Sequence, residues 1–269
     1  MPELDRPDGA RIHWQARGEG PTVVLAVHVA AHPAVFGDLV DELAGDHRVV
    51  AYDRRGTGRS SHDGPYDLET DSADLAAVIA AAGAPAVVIG WGDGAMTAVR
   101  LSAKHADLIT ALVALGGNPL GLAMASEIDA PAASHAVLEA LEQGMRTDYR
   151  STIRGMVRAN SLQMSEEEMR RRVEEQVAYC PRDVALARLG IWIKADARPD
   201  ATRMRDRISV LLFETALGPP PDIARAIRRQ LPEAHVEVLD DGPISRPDLT
   251  TEAVRRFTAP LRTGTGTPR

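Results

Sequence analysis

At 269 residues the chain is long enough to bury one substantial α/β core and to carry an inserted subdomain. Its formal net charge of -7 gives no basic footprint for nucleic acid or an anionic membrane surface, and no apolar run reaches the length that crosses a bilayer. The single cysteine, Cys180, excludes an internal disulfide, and the N-terminus lacks the charged, apolar and small-residue order of a signal peptide, so a cytoplasmic protein is expected. Lys104 and Lys194 are the only lysines, while Ala, Arg, Asp and Gly are heavily used, a composition that reads as a high-GC bacterial genome rather than an arginine-rich binding surface.

In chain order, Ile12 to Ala16 alternates apolar and polar residues and predicts a half-exposed antiparallel strand at a sheet edge. Thr22 to His28, Arg48 to Tyr52, Ala86 to Ile89 and Ala111 to Leu115 are continuously apolar, as parallel strands buried on both faces require. Helical patterns lie between them at Val35 to Ala44, Asp71 to Ala82 and Ala95 to His105. The alternation predicts βαβ units in an open, mostly parallel sheet with helices on both faces. From about Pro119 to Arg205 the pattern is helical alone, over His135 to Gln143, Tyr149 to Ala159, Ser165 to Tyr179 and Arg182 to Ala195, with Ser165 and Glu168 forming a capping box. The α/β rhythm then returns in Ile208 to Phe213, Pro221 to Leu231, His235 to Leu239 and a closing helix near Thr250 to Phe257. The expected organisation is an α/β core over 1–118 and 206–258, a helical lid over 119–205, and a flexible tail over 259–269.

Four segments in this order resemble the α/β-hydrolase superfamily. "TVVLAVHVAAHPAVF" (Thr22 to Phe36) looks like the strand and loop that help build the oxyanion hole, and "DRRGTGRS" (Asp53 to Ser60) matches the family's D-x-R-G-x-G-x-S turn. "GWGDG" (Gly90 to Gly94) stands where the family has its G-x-S-x-G nucleophile elbow, and "LPEAHVEVLDDGPISRPDLTTEAVRRF" resembles its last strand, catalytic-histidine loop and final helix. The resemblance implies the fold, but the Ser-His-Asp machinery that needs three groups in mutual hydrogen-bond reach is missing its members. The apex is Gly92; the expected acidic position falls among Ala216, Leu217 and Gly218; and Gly242 is followed by Pro243 where the base is expected. The last histidine, His235, starts its strand about 15 Å from the carboxyl edge where ligands of open α/β sheets bind. The other position that some members use for the acid reads "GGNP". Glycine at the apex removes the nucleophile while suiting the positive-φ turn.

His32, Asp93 and Glu214 are the candidate catalytic groups, and His28, Val29, Trp91, Gly92 and Pro243 the candidate substrate contacts. Each has a plainer reading: His32 bonding its loop, Asp93 as a helix N-terminal carboxylate, Glu214 as an exposed loop acid, His28 as a brace and Trp91 as core. Val29 is β-branched where the family prefers a small residue, which predicts a distorted oxyanion loop. "EEEMRRR" reads as a solvated helical face with i,i+4 ion pairs. No cofactor or metal is implied.

Within the superfamily, the stretch from Arg207 to Phe257 is loosely similar to cofactor-free oxygenases of hydroxylated aromatic rings. That similarity implies an enzyme of bacterial natural-product biosynthesis that oxygenates or cyclises an aromatic polyketide-like substrate, with dioxygen as a co-substrate in the former case. The alternatives are a ligand-binding pseudoenzyme and a rewired hydrolase or epoxide hydrolase using Asp93. A homodimer stays open.

Overall fold

The computed structural model describes residues 2–123, 132–159, 164–215 and 221–262. Eight strands form one sheet in the order β1-β2-β4-β3-β5-β6-β7-β8, with β2 antiparallel to both its neighbours, β1 and β4, and every other pair parallel. They are β1 (Glu3–Asp5), β2 (Arg11–Arg17), β3 (Thr22–Ala26), β4 (Arg48–Tyr52), β5 (Ala86–Gly90), β6 (Ile109–Ala114), β7 (Ser209–Thr215) and β8 (His235–Leu239).

The period of two decides which side chains meet which helices. Along β3, Val23 and Leu25 face α1 (Gly37–Leu43) and α10 (Pro247–Arg262), whereas Val24 and Ala26 face α2 (Leu68–Ala82) and α3 (Asp93–Lys104). Over the carboxyl ends of the strands lies a third cluster made by α4 (Ala132–Thr147), α5 (Tyr149–Ala159), α6 (Glu166–Tyr179) and α7 (Arg182–Lys194). Its apolar contacts include Val29 and Ala30 from the loop after β3, which bind the helical layer to the sheet.

Three expectations change. The short helix α8 (Arg198–Met204) buries Ala201 and Met204 in the sheet's own core, so the helical layer ends before it rather than at Arg205. Helix α10 runs on to Arg262 instead of stopping at Phe257, held by the buried hydroxyl of Thr258, which donates to the Val254 carbonyl at 2.9 Å; the rest of the expected tail lies outside the described residues. The strand expected to reach His28 ends at Ala26, where the backbone leaves the ladder to form the loop.

Candidate active site

β5 delivers the chain to Gly92 and α3 starts at Asp93. Gly92 has φ 55° and ψ -118°, a conformation that side chains resist and glycine enters freely. Two residues on, a Cβ at Gly94 would stand 2.2 Å from the Ala26 carbonyl oxygen, so α3 lies on β3 at a separation only glycine permits. The backbone of the elbow is therefore intact. What fills its apex is the imidazole of His28: a Cβ on Gly92 would fall 2.3 Å from His28 Nδ1 and 2.8 Å from Cε1.

His28 is held by a partner and two walls. Its Nδ1 lies 2.8 Å from Asp93 Oδ1. An ionised carboxylate only accepts, so Nδ1 carries the proton and Nε2 keeps the lone pair. The ring sits 5.4 Å from Trp91 and meets Trp192 of α7 edge-on at 4.7 Å.

Asp93 is 2% exposed, and both of its oxygens are engaged. Oδ1 also accepts from the Val29 N–H at 2.7 Å, and Oδ2 accepts from Arg54 at 2.6 Å. Burial pushes its carboxyl upward, but the Arg54 charge and the His28 hydrogen bond outweigh that and hold it well below the usual carboxylate range. Arg54 continues to Asp71 of α2 at 2.6 Å, and Asp71 in turn pairs with Arg188 of α7. A chain of alternating buried charges thus runs Arg188–Asp71–Arg54–Asp93 and ends on His28.

In hydrolases of this fold, the N–H after the nucleophile and one from the β3 loop hold the oxyanion. Here the Val29 N–H is taken by the Asp93 carboxylate, and the Asp93 N–H faces the imidazole, 3.5 Å from Nδ1. The Gly116–Gly117 turn closes the apex from above: a Cβ at Gly117 would lie 3.0 Å from the Gly92 Cα. Trp192 Nε1 donates to the Asn118 carbonyl at 3.1 Å and fixes α7 over the same turn. The imidazole of His28, held by Asp93, thus occupies the apex at position 92.

The fold brings His28, Val29, Trp91, Gly92 and Asp93 together and leaves the other candidates apart. His32 caps the short 3-10 turn Pro33–Phe36, its Nδ1 accepting from the Ala34 N–H at 2.9 Å, and its ring lies edge-on to Tyr179 at 4.5 Å; burial lowers its pKa. Glu214, next to last in β7, forms an ion pair with Arg228 of α9 (Pro221–Gln230) at 2.9 Å. Pro243 is buried, and its carbonyl accepts the Thr250 hydroxyl at 2.7 Å, anchoring the start of α10. Trp91 is core, packed against Phe36, and it also lines a small crevice beneath the helical layer. The strain expected at Val29 is found one residue later, at Ala30 with φ 57°, because the Val29 side chain is drawn into the apolar layer above. The expected acid position, 216–218, lies outside the described residues. Asp93 does open its helix, and its carboxylate is held by Arg54, His28 and the Val29 N–H rather than by the helix's own N–H groups.

Arg54 and Asp71 had no clear sequence signal. The doubled arginine of "DRRG" is the nearest to one.

The sequence model of the Alpha/beta hydrolase family matches residues 24–253. Among curated proteins, the pimeloyl-[acyl-carrier protein] methyl ester esterase of Vibrio atlanticus (strain LGP32) is 30% identical over 142 residues, 53% of this chain and 54% of that protein. The match thus spans about half the length of that relative. Polyketide synthase ThaQ of Burkholderia thailandensis (strain ATCC 700388 / DSM 13276 / CCUG 48851 / CIP 106301 / E264) is 34% identical over 120 residues, 44% of this chain and 6% of the synthase. Among solved structures, the esterase EaEST from Exiguobacterium antarcticum superposes with a TM-score of 0.82 at 16% identity, covering 96% of this chain and 98% of that one. With its motifs in order, its sheet topology and 24–253 matched, the chain belongs to the alpha/beta hydrolase family.

Proposed function

We propose that this family member does not hydrolyse esters through an acyl-enzyme, and that the His28–Asp93 pair acts as a general base on an acidic aromatic or enolic substrate. One observation carries the reading: the imidazole stands where the nucleophile's side chain would be, 2.3 Å from a Cβ on Gly92. Asp93 fixes the tautomer and would stabilise the imidazolium formed when Nε2 takes a proton, the role a triad carboxylate plays for its histidine. Arg54 keeps Asp93 ionised for that purpose.

Deprotonating a phenol or enol makes an electron-rich carbon that reacts onward without an enzyme nucleophile. Cyclisation or carbon–carbon bond formation on an aromatic polyketide-like molecule, or its cofactor-free oxygenation by dioxygen, would follow from that anion. The partial likeness to a polyketide synthase supports this substrate class, and the likeness to methyl ester esterases supports a carbonyl-bearing ligand. Trp192 covers the ring, so turnover requires the helical layer to shift.

A second reading, ligand binding without turnover, is favoured by the closed apex and the occupied Val29 N–H. The test is incubation with polyhydroxylated aromatic and β-dicarbonyl compounds, followed by oxygen uptake and product mass. Conversion that His28→Gln abolishes supports the base. Saturable binding without conversion supports the second reading. Ester turnover with a stable fluorophosphonate adduct overturns both.

A further inference from the structure

We infer, resting on the base proposed above, that its substrate carries an uncharged carbonyl, which Gln176 of α6 recognises in the crevice beside Trp91. The crevice is narrow, about 20 Å³, room for one small polar group. Val35, Trp91 and Ile244 line it from the carboxyl ends of the strands, and Val157 of α5 and Gln176 line it from the helical layer. The Trp91 ring lies 5.4 Å from that of His28, so the crevice stands beside the proposed base.

Gln176 is the polar exception among these apolar walls. It is 8% exposed, yet its side-chain amide makes no hydrogen bond among the described residues, and its amide atoms are open to a water-sized group. Buried amides are ordinarily paired within the protein, and one left unpaired costs the fold stability that a ligand's hydrogen bond would restore.

Outward, the crevice adjoins a cavity of about 520 Å³ between α6 and the loop that joins β8 to α10, a volume within the range of small-molecule sites. The two share Met164, Arg172, Ile244 and Ser245. Asp38, Glu168, Asp240 and Asp241 line the outer cavity against two arginines, and both arginines are engaged, Arg172 with Glu168 at 2.7 Å and Arg246 with Asp248 at 3.0 Å. This acidic mouth disfavours an anion, and the apolar walls further in would desolvate a charge of either sign. A neutral amide there suits a neutral partner: its N–H donates to a carbonyl oxygen while the body of the ligand lies in the outer cavity.

The experiment is calorimetric titration of the full chain with three phenols of similar size, 6-acetyl-2-naphthol, 6-ethyl-2-naphthol and 6-hydroxy-2-naphthoate. The acetyl compound should bind about fivefold tighter than the ethyl compound, through the amide, and at least about tenfold tighter than the carboxylate, which the mouth repels. Gln176→Leu should erase the preference for acetyl over ethyl while the melting temperature stays within about 2 °C of the parent or rises, because the amide holds no other residue. Gln176→Met gives the same reading should the leucine pack poorly. Equal binding of the acetyl and ethyl compounds, a preference that survives both variants, a carboxylate bound as tightly as the ketone, no binding at millimolar concentration, or marked destabilisation of both variants would each overturn the proposal. Ketone binding that Gln176 governs, with no conversion of the naphthol, supports the recognition and counts against the His28 base alone.

Discussion

Restoring a serine at the apex is the most direct challenge to this description of the elbow. Gly92→Ser places a Cβ 2.3 Å from His28 Nδ1, so the imidazole must leave. Its departure breaks the charge-assisted hydrogen bond to Asp93, worth about 1.5–3 kcal/mol. The side chain must also adopt φ 55°, at a cost of about 1–3 kcal/mol. Together these give a loss of about 4 kcal/mol, or about 10 °C in melting temperature for a chain of this size. Calorimetry with urea unfolding reads the loss, and p-nitrophenyl ester turnover with intact-mass analysis after fluorophosphonate reads the chemistry, where none is expected. In His28→Ala the same serine substitution should cost at least about 2 kcal/mol less, because the clash is already gone. A Gly92→Ser protein that melts within 2 °C of the parent, by contrast, or that takes up the phosphonate at position 92, refutes the picture of a filled apex.

Arg54→Met removes the cation shared by Asp93 and Asp71 and should destabilise by about 3–5 kcal/mol at neutral pH, measured by urea unfolding. Both carboxyls are depressed in the folded protein, so their contribution is complete above the unfolded carboxyl pKa of about 4 and is lost as pH falls below it. Melting temperatures from pH 7 to pH 3 should therefore fall steeply only below about pH 4, and Asp93→Asn should lessen that slope. Trp192→Ala should uncover His28, read as a severalfold rise in its modification by diethyl pyrocarbonate on peptide mapping. Arg188→Met should cost about 3 kcal/mol and speed limited proteolysis between α4 and α7.

The fold was legible because it rests on local signals. β4 and β8 match their apolar runs residue for residue, and α5 begins and ends as its periodicity predicts. Ser165 caps α6 by accepting from the Glu168 N–H at 3.2 Å, but the Glu168 carboxylate turns to Arg171 and Arg172, so only half of the capping box forms. The ion pairs of that helix face were legible for the same reason, since i,i+3 and i,i+4 spacing fixes who meets whom. β1, three residues long, has too few side chains to show a period. The site was less legible because its contacts are not local: Arg54 is 39 residues from Asp93, and Asp71 meets Arg188 across 117. Sequence placed His28 on the right loop, but no pattern within that loop tells its imidazole to enter the elbow.

Arg188 constrains how the helical layer can open. It is 1% exposed, and drawing it away from Asp71 would strand a guanidinium and weaken the hold on a carboxylate inside the protein, at about 3–5 kcal/mol. By Boltzmann weighting, fewer than about one molecule in a hundred would have α7 detached at any instant. If the proposed base is to meet a substrate, α7 would stay in place while Trp192, which meets the His28 ring edge-on, turns aside.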